Sequence, residues 1–337
     1  MAKAVISGYY GFKNYGDEAI LSVLTTHLKS LNIEPVVLSS DVEYTSKNYS
    51  VDAVNRFDLK KVFNVIKSSD ILISGGGSLL QDVTSLKSLV YYIFIIFLGV
   101  ILNKKTIIFA QGVGPINNKF AAIIVKHILK LCSYVSVRDE NSLKLLKKWG
   151  VDADLVCDPV FSYAPLDVVK ERTIGIQLRD FSTMNLNLLQ KLAMLINEKY
   201  SDYKVCIFSL QYSQDYDLSK RFESILKNIN SNIQTEIVTE KITEKLSSLE
   251  FLIGMRFHAL LVSIKSGVKC CAINYDIKVE NLAKAIGIPL ISMDAHENFE
   301  EIYAQLENLD SKKLSEFANS QQFDWTNFDK TISIFFK

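Results

Sequence analysis

Four short apolar runs in this chain end in glycine, and each is followed by a stretch with helical periodicity. Ala4-Val5-Ile6-Ser7 runs into Gly8, and Asp70-Ile71-Leu72-Ile73 into Ser74-Gly75-Gly76-Gly77. Thr106-Ile107-Ile108-Phe109-Ala110 runs into Gln111-Gly112-Val113-Gly114-Pro115, and Phe251-Leu252-Ile253 into Gly254. Short apolar runs bounded by turn signals read as strands buried on both faces, as in parallel sheets. Further runs at Val36–Leu38, Val51–Val54, Tyr134–Val137 and Ala153–Val156 continue the alternation. The pattern weakens between Phe161 and Arg172, around Pro165 and a charge cluster, then resumes at Thr173–Arg179. Val205–Phe208, Thr235–Val238, Cys270–Ile273 and Leu290-Ile291 follow. The expectation is α/β: two tandem doubly wound, Rossmann-like domains over 1–165 and 170–310. A helical, aromatic-rich tail over 311–337 (Phe323, Trp325, Phe328, Phe335, Phe336) is expected to pack across both. Open α/β sheets bind ligands at the carboxyl ends of their strands. Two such edges facing an interdomain cleft describe the GT-B arrangement.

Composition removes several function classes. The 337 residues carry a net charge of +1 with lysines and acids interspersed, so no basic stripe proposes nucleic acid as a partner. The five cysteines (Cys132, Cys157, Cys206, Cys270, Cys271) lack metal-ligand spacing, and four lie in or beside apolar runs. They read as reduced thiols in a cytoplasmic protein, with no metal site. The amino-terminal apolar run is too short for a signal peptide and leads directly into a glycine turn. Leu89–Leu102, at fourteen residues, falls short of the roughly 20 that a spanning helix needs. It reads as a buried helix, with contact at a membrane face as the alternative.

Several positions carry chemistry. Gly8-Tyr9-Tyr10-Gly11-Phe12-Lys13-Asn14-Tyr15-Gly16-Asp17-Glu18 is a glycine-rich loop before a helix whose Ile20, Leu21, Leu24 and Leu28 share a face. Asn14 or Asp17 can cap that helix, and Asp17 is either a helix-start acid or a ligand-facing one. The glycine spacing is not the dinucleotide fingerprint. Three successive glycines at 75–77 allow close approach of a ligand and an anion-binding nest. Arg138 stands where a strand meets a helix capped by Asp139. In Gly254-Met255-Arg256-Phe257-His258-Ala259, a fixed cation and a proton carrier two positions apart open a helix whose amides point the same way, which suits an anionic substrate. Asn274-Tyr275-Asp276-Ile277-Lys278 opens another helix at a strand end. His27, His127 and His296 lie away from the glycine turns and read as structural or surface residues.

Taken in order, these motifs, with Gly16-Asp17-Glu18, Ser78-Leu79-Leu80-Gln81-Asp82, Val137-Arg138-Asp139 and Asp158-Pro159, resemble the polysaccharide pyruvyl transferase family over nearly the whole chain. The likeness is nearest to its bacterial cell-wall members. The resemblance implies transfer of a pyruvyl group from phosphoenolpyruvate, a co-substrate rather than a cofactor, to two sugar hydroxyls as a cyclic ketal. It further implies a β-linked N-acetylmannosamine acceptor, ketalised at its 4- and 6-hydroxyls, in a lipid-linked secondary cell-wall polymer precursor that anchors surface-layer proteins. Peripheral contact with the inner membrane face would follow. Under it, Arg256, Lys278 and Arg138 hold phosphoenolpyruvate and His258 with Asp17 moves protons. Tyr10, Phe12, Gly76 and Gly77 face the sugar. The rival readings are a nucleotide-sugar glycosyltransferase and a non-catalytic carbohydrate sensor.

Overall fold

The computed structural model describes residues 1–83, 85–164, 166, 168–181 and 185–335. Pro165 and Phe336, singled out above, lie outside the described residues. The chain forms two compact units, Met1–Ser162 with Gln322–Lys337, and Tyr163–Gln321.

In the first unit, β1 (Ala2–Ser7), β2 (Ile33–Ser39), β3 (Asp52–Asn55), β4 (Ile71–Ser74), β5 (Gly77–Leu80), β6 (Lys105–Val113), β7 (Tyr134–Val137) and β8 (Asp154–Leu155) make one parallel sheet. Its order is β3-β2-β1-β4-β6-β7-β8, with β5 pairing β6. The intervening helices are α1 (Tyr15–Ser30), α2 (Val42–Tyr49), α3 (Leu59–Lys67), α4 (Leu86–Ile101), α5 (Lys119–Leu129) and α6 (Glu140–Trp149). Side-chain caps at Asn14, Asp41, Asp58, Ser85, Asn118 and Asp139 accept orphan amides and fix where these helices start. Of the two caps open for α1, Asn14 is the one used, taking the Gly16 N–H at 3.2 Å.

The second unit holds β9 (Thr173–Gln177), β10 (Lys204–Phe208), β11 (Thr235–Val238), β12 (Phe251–Gly254), β13 (Lys269–Asn274) and β14 (Leu290–Ser292) in the parallel order β11-β10-β9-β12-β13-β14. Its helices are α7 (Leu186–Lys199), α8 (Tyr212–Ile229), α9 (Ile242–Ser248), α10 (Phe257–Lys265), α11 (Ile277–Ile286), α12 (Phe299–Glu307) and α13 (Ser311–Ser320). A core of Ile174, Ile176, Leu192, Ile207, Phe222 and Ile253 fills the space between sheet and helices. In each sheet the chain starts near the middle, builds one side, then crosses to the other. The reversal falls between β1 and β4 in one sheet and between β9 and β12 in the other, where α/β sheets open for ligands.

Three local readings need correction. Gln111-Gly112-Val113 is not a turn but the end of β6, and the turn itself is Gly114-Pro115. The glycine stretch after β4 is not all loop, because Gly77 opens β5 against Gln111. Helix α8 starts at Tyr212, five residues before the apolar spacing from Asp217 suggests. Its first turn is polar, and the buried Asp215 within it accepts the N–H groups of Leu210 and Gln211 just before the helix.

Within the tail, α13 packs on α10 of the second unit, while α14 (Thr326–Ile332) belongs to the first. There Trp325 stacks on His27 at 3.6 Å, and His27 Nε2 lies 2.7 Å from Asp329 Oδ1. Phe109, fully buried in β6, packs against Phe323, Trp325 and Phe328 with centroids 5.1–5.4 Å apart. Phe328 is 0% exposed. Replacing it by Ala should therefore destabilise the first unit by about 3–5 kcal/mol, as for other buried Phe→Ala changes. Urea unfolding monitored by tryptophan fluorescence measures this.

Candidate active site

The carboxyl edge of the first sheet is built around β1 and β4. The Gly75 N–H donates to Ser7 O at 2.7 Å, tying the two strand ends together. Gln111 Nε2 reaches Ser74 Oγ and Gly75 O, both at 2.7 Å, and locks the turn from the other side. The anion nest expected of the three glycines is not free, because one amide is bonded to Ser7 and Gly77 is in the ladder. The glycines serve close packing instead. Gly76 is buried against Ile20 of α1. Gly77, at φ +103°, leaves so little room that a Cβ there would stand 2.6 Å from Asp17 Oδ1. Asp17, half-buried in the first turn of α1, thus has its carboxylate directly against the glycine strand. Its charge, behind burial, helps raise the pKa of Tyr9 and Tyr10.

Tyr10 departs from its expected role. It is 0% exposed, wedged where a Cβ on Gly75 would sit 2.0 Å from its hydroxyl, so it offers no face to a sugar. The half-buried aromatic pair of this loop is Phe12 with Tyr9, stacked at 4.1 Å and 9°. Sequence reading passed over Tyr9 because Tyr9 and Tyr10 alternate in a loop with no period to sort them. Glu18, 5% exposed, is structural: it accepts the Gly11 N–H at 2.8 Å and the Tyr49 hydroxyl at 2.7 Å. Burial raises its pKa. Arg56 was also missed. Its Nη1 donates to Gly8 O at 2.8 Å, while its guanidinium lies over Tyr91 at 4.3 Å and Phe12 at 5.2 Å.

Arg138 belongs to the first unit, whereas Arg256, His258 and Lys278 belong to the second. Its Nη1 pairs with the buried Asp158 at 2.7 Å, and Nη2 approaches Ser78 Oγ at 3.4 Å. Asp158 also takes the Val160 N–H. The charge of Arg138 is therefore balanced within its own unit.

The second site lies at the reversal between β9 and β12. Gln177 Oε1 accepts the N–H groups of Met255 (3.2 Å) and Arg256 (2.7 Å), so the end of β9 holds the turn into α10. Arg256 is the N-cap residue of α10, and His258 is the helix's second residue, half-buried and edge-on to Phe257. Lys278 holds the equivalent place in α11, its N–H accepted by the capping Asp276 at 2.8 Å. Arg256 makes a two-pronged pair with Asp215: Nε to Oδ2 at 2.9 Å and Nη2 to Oδ1 at 2.6 Å. Asp215 is fully buried and also accepts the N–H groups of Leu210 and Gln211. Nothing local in the sequence couples residues forty-one positions apart, so this partner was invisible.

Arg179, two residues beyond the last ladder pair of β9, was likewise missed. Its amide donates to Met255 Sδ at 3.1 Å, and its guanidinium lies 5.6 Å from the Tyr275 ring. Among the described residues it makes no ion pair, and its Nε is buried without a hydrogen-bond partner. Among the described residues no cluster of three His, Cys, Asp or Glu side chains could hold a metal.

A family model for polysaccharide pyruvyl transferases matches residues 14–277, most of the chain and all of the site segments except the first strand's turn and Lys278. The chain belongs to the polysaccharide pyruvyl transferase family. It is a transferase enzyme of polysaccharide biosynthesis. No curated protein matches its sequence. Solved structures share its fold at low identity. UDP-GlcNAc 2-epimerase from Neisseria meningitidis, bound to UDP-GlcNAc, is 10% identical with a TM-score of 0.64 over 99% of this chain and 100% of that one. The Methanocaldococcus jannaschii UDP-GlcNAc 2-epimerase is 12% identical, TM-score 0.62, over 95% and 99%. Anabaena Alr3699/HepE in complex with UDP-glucose is 9% identical, TM-score 0.63, over 99% of each chain. The transferase thus has two Rossmann-like halves of the GT-B-like kind.

The buried Asp215 has a test of its own. Asp215→Ala would leave the Arg256 guanidinium without its counter-charge and two backbone amides without an acceptor. Chemical denaturation should show a loss of about 3–5 kcal/mol, the usual result of removing one partner of a buried pair.

Proposed function

We propose that the transferase takes its pyruvyl group from phosphoenolpyruvate and places it as a cyclic ketal on two hydroxyls of a cell-wall sugar. The acceptor is β-N-acetylmannosamine, closed through its 4- and 6-hydroxyls, in a lipid-linked precursor of a secondary cell-wall polymer. The observation that carries this reading is the cationic strand edge of the second unit. On a chain of this family, Arg179 follows β9 and Arg256 with His258 follows β12, on either side of the reversal, while Lys278 opens α11 after the neighbouring strand β13. A donor bearing both a carboxylate and a phosphate suits that edge.

In the proposed reaction, one sugar hydroxyl oxygen bonds to C2 of phosphoenolpyruvate and loses its proton, while C3 gains one and becomes a methyl group. The carbon–phosphate oxygen bond then breaks and phosphate leaves with the electron pair. The second hydroxyl oxygen bonds to C2, loses its proton and closes the ring. His258 delivers the proton to C3 and Asp17, against Gly77, takes one from a sugar hydroxyl. Arg256, fixed by Asp215, and Lys278 hold the departing phosphate, and Arg179 holds the carboxylate. Within the first unit the stacked pair Phe12 and Tyr9 suits the apolar face of a sugar ring.

Two measurements check this. Incubation with phosphoenolpyruvate and a lipid-linked N-acetylmannosamine should release phosphate and add one pyruvyl group by mass. His258→Ala should abolish both with an unchanged melting temperature. Release of UDP from a nucleotide sugar instead would establish the glycosyltransferase reading, and sugar binding without turnover the sensor reading. Separately, Arg179→Ala should raise KM for phosphoenolpyruvate roughly 10- to 100-fold, the equivalent of about 1.5–3 kcal/mol for a hydrogen bond to a charged group. An unchanged KM would remove Arg179 from the donor site.

A further inference from the structure

Almost every side chain of α4 is apolar, which hides from the sequence that the helix has two unlike faces. Leu89, Tyr92, Ile95, Ile96 and Leu98 are buried on the sheet. On the opposite side Leu86, Val90, Phe94, Phe97 and Ile101 follow one another at helical spacing, exposed by 39% at Phe94 up to 55% at Val90. Helix α5 packs beside α4 and continues the apolar surface through Phe120, 80% exposed, with Ile123 and Ile124. An apolar surface spread over two adjacent helices is larger than the scattered exposed residues of an ordinary soluble face.

Its charge is one-sided. Neither helix contains an acid. Lys87 flanks the stripe on α4, and Lys119 and Lys126 of α5 with the C-capping Lys130 follow one edge at spacings that keep them on a line. Asp82, in the loop before α4, accepts the N–H groups of Asn117 (2.8 Å) and Asn118 (2.7 Å).

We propose that this face of the first unit docks on an anionic lipid surface, the apolar side chains entering the acyl boundary and the lysines meeting headgroup phosphates. Lysine stems lie along apolar surface while their ammonium groups reach outward, the arrangement of interfacial helices. The charge argues against a second copy of the chain as the occupant. A two-fold contact sets the same patch against itself, so the lysine edges would meet while neither helix carries a carboxylate to answer them. The contact is peripheral, since among the described residues no helix is long and apolar enough to cross a membrane. Helix α4 is also tied to the Asp17 loop from its buried side. Tyr91 and Tyr92 enclose Arg56, which donates to Gly8 O. A docked α4 would hold that loop near the headgroups. The inference does not rest on the transfer chemistry, and binding is read without turnover.

The test is co-sedimentation of the full chain with phosphatidylcholine vesicles, with and without phosphatidylglycerol. The transferase should sediment with the anionic vesicles only. The Phe97→Glu/Ile123→Glu variant, altered at exposed positions and with an unchanged melting temperature, should lose at least ten-fold in partitioning. Lys119→Gln and Lys126→Gln should each lose about five-fold, from about 1 kcal/mol per basic residue at such a surface. Absence of vesicle binding, equal binding to neutral vesicles, or full binding by the double glutamate variant would each overturn the proposal. So would a wild-type dimer in light scattering that the same variant converts to monomer, which would make the face a self-association surface.

Discussion

Both sheets are parallel at every ladder in the described residues, and a parallel ladder can be joined only by a crossover that returns the chain to its starting edge. That constraint sends every strand-to-helix loop to the same edge of its sheet. Where the strand order reverses, the loops on either side part company and leave room between them. In the second unit this brings Gln177 to the turn amides of Met255 and Arg256, seventy-eight and seventy-nine positions later. In the first, Gly75 bonds to Ser7 across the same kind of reversal. Neither site could exist on an antiparallel sheet, whose hairpin turns alternate between edges.

Glycine has a different use in each place. In the second unit Gly254 ends β12 without unusual backbone, and the geometry of the candidate site comes from side chains on the helix that follows. In the first, missing side chains are the geometry. The Tyr10 hydroxyl occupies the space beside Gly75, and the Asp17 carboxylate occupies the space beside Gly77. A fully buried tyrosine therefore supports the floor of the loop while Asp17 stays at its rim. Arg56 holds the same loop from below through Gly8 O, with aromatic rings rather than a carboxylate around its charge. Such a surround costs less hydration than a bare apolar one, because the ring faces attract the cation.

Periodicity carried most of the architecture. Buried strands ending in glycine and helices with a single apolar face were readable, whereas the strand order that sets each reversal comes only with the structure. Side-chain direction was not. Tyr9 and Tyr10 are identical in type and adjacent, yet one is half-exposed and the other fully buried, which depends on Gly75 sixty-five positions later. Asp215 sat in a polar stretch with no helical spacing, so the start of α8 and the partner of Arg256 were missed together. Helix α4 failed for the opposite reason: with apolar residues all round, its pattern could not say which face met the sheet. The placement of Asp17, Arg256, His258 and Lys278 at helix starts was legible because helix starts after strands are local features. What balances their charges is nonlocal and was not.

The charges of the second site have an energetic consequence. An arriving anion could compete with Asp215 for Arg256, but that would strand a carboxylate that is 0% exposed. Breaking a buried pair costs about 3–5 kcal/mol, whereas a hydrogen bond to a charged group returns only about 1.5–3 kcal/mol. Arg256 therefore keeps Asp215 and can offer a ligand only the guanidinium edge that Asp215 leaves open. Arg179 differs. It leans on the Tyr275 ring, has no ion-pair partner among the described residues, and stands one strand away across the reversal. An anion that pairs with Arg179 displaces no protein carboxylate, so the full interaction is available for binding. On this accounting Asp215 and Arg256 form a neutral, pre-set brace for the turn that carries His258. An arriving anion then meets Arg179 and the start of α10, which carries no side-chain cap.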